Sequence, residues 1–170
     1  MEIRKSFISD LPQLEAIFEE ARKTIAELGI NQWQNGYPSP EVIKSDVAKG
    51  ESYAVEISGN IVGTFVMILS GEPTYDKIYQ GAWKSGNENR EYLTIHRVAI
   101  SVASRGSGIS GEIIKYAENF AKENGKNAIR IDTHEGNVVM RRMLEKHGFS
   151  YCGVIYLESG EGRVAYEKVT

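Results

Sequence analysis

Arg105-Gly106-Ser107-Gly108-Ile109-Ser110-Gly111 is the stretch of this 170-residue chain whose residue types and spacing most directly suggest chemistry. Glycines at this density let the backbone turn tightly. An amphipathic run follows at once, with Ile109, Ile113, Ile114, Ala117, Phe120 and Ala121 at helical spacing. A glycine turn feeding a helix presents several N–H groups with the helix dipole behind them, which suits a phosphate. Arg105 adds a cation with paired donors at the mouth of the turn. Upstream lies an apolar-rich run, Leu93-Thr94-Ile95-His96-Arg97-Val98-Ala99-Ile100. Its His96 is of the residue type that exchanges protons most readily near neutral pH.

Two readings compete for the turn. Gly106-Ser107-Gly108-Ile109-Ser110-Gly111 spells GxGxxG, the dinucleotide fingerprint, with Asp132 downstream at about the distance of a ribose-binding carboxylate. The same residues spell Arg105-x-x-Gly108-x-Ser110, which resembles the pyrophosphate loop of the GCN5-related N-acetyltransferase (GNAT) superfamily, R/Q-x-x-G-x-G/A, with Ser110 in place of Gly or Ala. Context favours the second. In a dinucleotide fold the strand ends almost at the first glycine, near the start of its domain, whereas here Ser101 to Arg105 intervene and a long segment precedes the strand. Ile129 to Asn137, followed by Met140 to Phe149, also resembles the family's sequence of a strand, an Asn opening a helix, and a terminal Gly148-Phe149.

The resemblance implies acetyl-CoA as cofactor and direct transfer of its acetyl group to a primary amine of a small molecule or peptide, in a ternary complex. It implies that the backbone of Val98, Ala99 and Ile100 runs along the cofactor arm. Arg105, Gly106, Ser107, Gly108, Ile109, Ser110 and Gly111 would hold the pyrophosphate, with Asn137 and Met140 further along the cofactor. Asn137 suits an N-cap equally well. Period-two alternation puts Tyr92, Thr94, His96 and Val98 on one strand face, where acceptor-site residues of some family members lie. This makes His96 the candidate general base, with Glu91 in reserve. Thr94 and His134, together with the aromatics Trp33, Tyr37, Tyr79 and Trp83, are candidate acceptor contacts, although rings in a long loop also serve to pin it. Many members carry a tyrosine four residues before the terminal glycine to protonate the departing thiolate. This chain has Leu144 there, which leaves the acid unassigned and supports a rival reading as a non-catalytic CoA-binding or regulatory module.

The elements that must position these residues follow from the chain in order. Ile3 to Phe7 reads as a strand. Asp10 and Gln13 resemble a capping box for a helix carrying Leu14, Ile17, Phe18, Ala21, Ile25 and Leu28, stopped by Gly29. Ser39-Pro40 caps a second helix ending near Gly50. Tyr53, Val55 and Ile57 alternate as a strand, and Ile61 to Leu69 returns as a more fully buried one. Residues 70–91 form a long irregular segment of the kind that carries function. Helix 107–124, strand 127–134, a helix closing at His147-Gly148, and a hairpin of 149–157 with 163–169 complete the order βααβββαβαββ. The expected fold class is α/β, one domain over residues 1–170. By resemblance it is the GNAT fold, a central mixed sheet of about seven strands with four helices packed on both faces.

Composition restricts the function classes. With 41% hydrophobic and 25% charged residues the chain is that of a globular protein. A net charge of −3 without a basic run argues against nucleic acid. The longest apolar run, Ile61 to Leu69, is about half a membrane span, and Met1-Glu2-Ile3-Arg4 begins no signal-peptide core. A cytoplasmic location is therefore expected, with no membrane partner. The single Cys152 allows no internal disulfide framework. Asp132, His134 and Glu135 lack a metal-ligand spacing, so no metal is expected. Homodimer formation is left open.

Overall fold

The structure, a computed structural model, describes residues 1–87 and 90–170. The elements follow in the order β1 (Glu2–Lys5), α1 (Leu11–Glu27), α2 (Pro40–Ala48), β2 (Ser52–Ile57), β3 (Asn60–Ile68), β4 (Tyr92–Ile100), α3 (Ile109–Glu123), β5 (Ala128–Thr133), α4 (Val138–Lys146), β6 (Ser150–Tyr156) and β7 (Gly162–Val169). This is the βααβββαβαββ order expected from the sequence. The strands form one mixed seven-stranded sheet in the order β1-β2-β3-β4-β5-β7-β6. Pairing is antiparallel for β1/β2, β2/β3, β5/β7 and β6/β7, and parallel for β4/β5.

The chain divides into two compact units. The first comprises Met1–Met67 with Arg97–Ile113, and the second Ile68–His96 with Ile114–Thr170. In the first unit, the apolar stripe of α1 does what its spacing predicts. Leu14, Ile17, Phe18 and Ala21 pack with Ile43 and Val47 of α2, Ala54 of β2, Ile61 of β3 and Ala99 of β4. Each large aliphatic side chain buried this way contributes about 1.5–3 kcal/mol. Ser39 caps α2 by accepting from the Val42 amide at 3.3 Å. The Asp10–Gln13 capping box does not form. Arg4 instead claims the Asp10 carboxylate at 2.8 and 3.2 Å, the Phe7 amide donates to it at 2.7 Å, and Gln13 accepts from the Ile61 amide. Nor does β2 alternate: Ser52 to Val55 are all buried, so both of its faces are covered.

The second unit is built around rings. Tyr75, Trp83 and Tyr92 pack with Ala128, Cys152, Ile155 and Ala165. Arg130 is 1% exposed and lies between the Trp83 and Tyr92 rings, at 4.2 and 4.0 Å from their centroids. Its Nε donates to Glu167 at 2.7 Å and its Nη2 to Ser85 Oγ and the Gly86 carbonyl, while Nη1 has no partner among the described residues. Most of the segment 70–91 is anchored to this core, with one helical turn at Pro73–Tyr75 and a two-residue bridge between Tyr79 and Val154 of β6. The Tyr79 and Val154 amides donate to each other's carbonyls at 2.8 Å. Two glycines permit the approach, since a Cβ on Gly81 would collide with the Cys152 carbonyl and one on Gly153 with the Tyr79 carbonyl. Glu88 and Asn89 of the segment lie outside the described residues.

Candidate active site

In the first unit β4 runs through a single helical turn at Val102–Ser104 into the glycine turn, and α3 starts at Ile109. Gly106 and Gly108 have φ of +77° and +87°, a region that favours glycine. Among the described residues, nothing lies within 4 Å of a Cβ placed on either, so the turn is open above both. The Gly111 and Glu112 amides donate back to the Gly108 carbonyl at 3.1 and 3.3 Å. The amides ahead of them belong to the set that a helix start leaves without internal acceptors. Arg105 is held against α1, donating Nη1 to Thr24 Oγ1 at 2.8 Å. Two open left-handed glycines, a fifteen-residue helix behind them and an adjoining guanidinium fit a pyrophosphate.

Further back along β4, Arg97 has a left-handed backbone, φ +51°, which costs a non-glycine residue about 1–2 kcal/mol. Its guanidinium makes a paired contact to Asp46 of α2, Nε–Oδ2 at 2.7 Å and Nη2–Oδ1 at 2.8 Å, and donates Nη1 to the Tyr37 hydroxyl at 2.6 Å. Burial opposes its charge, but Tyr37 and Asp46 outweigh that and hold its pKa above the ordinary arginine value. The left-handed residue interrupts the pleat, so the alternation that grouped Val98 with Thr94 and His96 does not carry past it. Ala99 is buried against α1 and α2. Trp33 packs edge-on against Phe18 at 5.8 Å, while Tyr37 is 40% exposed.

In the second unit the ladder from β4 to β5 covers Tyr92↔Ala128, Leu93↔Ile129 and Thr94↔Arg130. His96 stands beyond the last of these pairs. Its Nε2 lies 2.9 Å from Glu72 Oε2, and the other Glu72 oxygen accepts from the Thr74 amide and hydroxyl at 3.3 and 3.1 Å. The hydrogen bond from His96 is the main reason that the Glu72 carboxyl is held below the usual carboxylate range. An ionised carboxylate only accepts. The His96 Nε2 must then carry a proton, so that in the neutral imidazole the lone pair is on Nδ1. The Tyr75 ring lies 6.2 Å from His96, and its hydroxyl donates to Asp132 Oδ2 at 2.6 Å. Burial first, then Asp132, pushes the Tyr75 phenol well above its usual pKa, so it stays protonated.

The remaining candidates are dispersed over this unit. Glu91 is exposed and accepts from Asn127 Nδ2 at 3.3 Å, about 16 Å up the strand from His96 at the usual rise per residue. Thr94 is fully buried, and its hydroxyl has no hydrogen-bond partner among the described residues. Trp83 is 4% exposed and donates Nε1 to the Tyr75 carbonyl, a core residue of the loop. Tyr79 is half-exposed against Tyr156 at 5.2 Å. His134 Nδ1 accepts from the Gly136 amide at 2.9 Å, so its proton is on Nε2. Asn137 caps α4 by accepting from the Met140 amide at 3.2 Å. Leu144 is fully buried, its carbonyl accepting from the Phe149 amide.

Sequence reasoning did not find Glu72 or the Arg97–Asp46 pair, and it marked Tyr75 only as one of the rings of the loop. Glu72 stands 24 residues before its partner in an irregular segment, and nothing in an arginine within a strand pattern announces a left-handed backbone. The one available signal was Glu72-Pro73-Thr74, the start of a short helical turn.

The profile of the acetyltransferase (GNAT) family matches residues 13–149. An acetyltransferase of the GNAT family from Streptococcus agalactiae is 35% identical, with 99% of this chain and 95% of that chain covered and a TM-score of 0.88. A PaiA N-acetyltransferase from Thermoplasma acidophilum, solved in complex with coenzyme A, is 19% identical over 99% of this chain and 98% of its own, with a TM-score of 0.71. YesJ of Bacillus subtilis, an uncharacterized N-acetyltransferase, is 21% identical over 146 residues, 85% of this chain and 78% of its own. The chain belongs to the GNAT family of acetyltransferases and is an acyltransferase.

Proposed function

We propose that this protein transfers the acetyl group of acetyl-CoA directly to a primary amine of a small molecule or peptide, both substrates bound together, with His96 as general base. The observation that carries the reading is the pairing of Glu72 with His96, a residue of the strand whose chain continues into the glycine turn. Acetyl-CoA supplies an activated thioester. The amides of Gly106 to Ser110 and the Arg105 guanidinium bind its pyrophosphate, and the backbone of Val98, Ala99 and Ile100 orients the acyl arm. The neighbour from Thermoplasma acidophilum, solved with coenzyme A, supports the choice of cofactor.

An amine reaches the enzyme as an ammonium and attacks only as the free base. His96 Nδ1 takes that proton, and Glu72 steadies the resulting imidazolium, the role a carboxylate plays behind a catalytic histidine. The amine nitrogen then bonds to the acyl carbon while the carbon–sulfur bond breaks, and the nitrogen loses its second proton to water, which leaves the neutral amide. Leu144 offers no proton to the departing sulfur. A thiol has an ordinary pKa near 8.5, so departure as thiolate at pH 7 costs about 2 kcal/mol relative to the thiol, which is tolerable. The proton held by His96 or water neutralises it afterwards.

The test is turnover of acetyl-CoA over a panel of amines, polyamines, aminoglycosides and peptides. His96→Ala is expected to lower turnover by about 10²–10⁴ with acetyl-CoA affinity nearly unchanged, and Glu72→Gln to lower it by a smaller factor. Unaltered turnover in His96→Ala from pH 6 to 9 removes this residue from the mechanism. A second reading, a regulatory module that binds coenzyme A without turnover, is favoured by Leu144. It gains if the native protein binds acetyl-CoA yet leaves every amine untouched.

A further inference from the structure

Arg97 combines two features that explain one another. Its backbone stands in the left-handed region within a strand, where a residue other than glycine persists only if its surroundings over-determine it. Its side chain is gripped at three points, twice by Asp46, which is 6% exposed, and once by the Tyr37 hydroxyl. A paired guanidinium–carboxylate contact fixes orientation as well as distance, so it can dictate the rotation of the backbone that bears it. The Tyr37 ring lies 6.0 Å from the same guanidinium carbon and narrows that orientation further. A left-handed residue rotates its flanking peptide planes out of the strand repeat. In this chain those planes lead to His96 on one side and to Val98 on the other.

We propose that Arg97 is a positioning residue of the acyl-donor site. Its clamp on Asp46 and Tyr37 holds β4 in the turn that aims the Val98–Ile100 backbone at acetyl-CoA. This rests on the function proposed above. It also assigns a task to Tyr37 that differs from touching the acceptor: the hydroxyl closes the clamp.

Glycine and alanine at position 97 distinguish the proposal from plain packing. Both substitutions abolish the clamp, but glycine adopts the left-handed conformation without strain and alanine does not. Acetyl-CoA affinity is to be measured by titration calorimetry, without an amine, at a temperature where circular dichroism shows both variants fully folded. Arg97→Ala is expected to bind about tenfold more weakly than the native protein, the equivalent of about 1.4 kcal/mol. Arg97→Gly, which can still adopt the turn but is not held in it, is expected to bind about threefold more weakly than native, a difference under about 1 kcal/mol. If the pair serves only the stability of the fold, the two folded variants bind equally well, and that result overturns the proposal. Alanine binding as well as or better than glycine overturns it too. A native protein that fails to bind acetyl-CoA overturns the function itself and this inference with it, an outcome recognisable before any variant is made.

Discussion

Arg130 in the second unit and Arg97 in the first both have their charge withdrawn from water, and the two are treated differently. Arg130 in the second unit is enclosed: its side chain and that of Glu167 are 1% and 0% exposed, with rings on both sides. Arg97 in the first unit is sheltered but not sealed, at 13% against 8% for Asp46, and it bonds to an exposed tyrosine at its far end. The enclosed arginine sits in regular strand geometry, and the sheltered one in left-handed backbone. Complete burial makes an ion pair hard to break and gives it one arrangement, which suits a core. Partial burial lets the pair hold a local conformation beside exposed surface.

The largest effect expected from breaking this contrast is at Arg130. Arg130→Ala leaves Glu167 buried without its partner and should cost about 3–5 kcal/mol in chemical unfolding, whereas Arg130→Met with Glu167→Leu should recover most of that loss. A single substitution costing under about 1 kcal/mol would show that water reaches the pair.

The Arg4–Asp10 pair is an intermediate case, 22% and 9% exposed, and it sharpens the trend through pH. The hydrogen bond from Arg4 is the main cause that lowers the Asp10 pKa, with the Phe7 amide assisting. A carboxyl lowered on folding stabilises the protein above its unfolded value, about 3.9, and loses that contribution as pH falls through the folded value. Asp10→Asn should therefore cost about 1.5–3 kcal/mol at pH 7. Urea midpoints of native and variant should converge below about pH 4. A gap that widens on acidification contradicts the assignment.

The smallest effect belongs to Arg90 and Asp76, 47% and 52% exposed. Solvent screens such pairs, and Arg90→Ala should leave the urea midpoint unchanged within error. A measurable loss would mean that exposure is a poor guide to the worth of these pairs.

Much of the architecture was legible because it rests on local periodicity. The stripe of α1, the Ser39 cap and the glycine turn before α3 each depend on neighbours within a turn or two, and each stands where the spacing puts it. The failures share a cause, which is a distant partner overriding a local preference. Asp10 had the right neighbours to cap a helix, but Arg4 holds it. Tyr53 and Val55 had the look of a half-buried strand, but both faces of β2 are covered. Among the candidate site residues, His96 followed from its position on β4. Glu72, which fixes its tautomer, did not, because hydrogen bonds between segments far apart in sequence leave no spacing to read. The aromatics of the loop were visible only as a group. That Trp83 lies in the core goes with the buried Arg130 beneath its ring, which sequence alone presents as one more charged strand residue.

The bridge between Tyr79 and Val154 has a consequence for solubility. Strand β6 ends the sheet order and bonds to β7 along one side. A sheet edge with unpaired amides is a template for another chain, and proteins guard such edges against aggregation. At the opposite end, β1 is only four residues long and carries Glu2, Arg4 and Lys5, which guard it by shortness and charge. At β6 the guard is the loop itself, laid close by virtue of Gly81 and Gly153. The loop that carries Glu72 towards His96 thus doubles as an edge cover. The exposed Lys77 can change without disturbing that cover, whereas a Cβ on Gly81 or Gly153 would collide with backbone and favour a strand open to self-association.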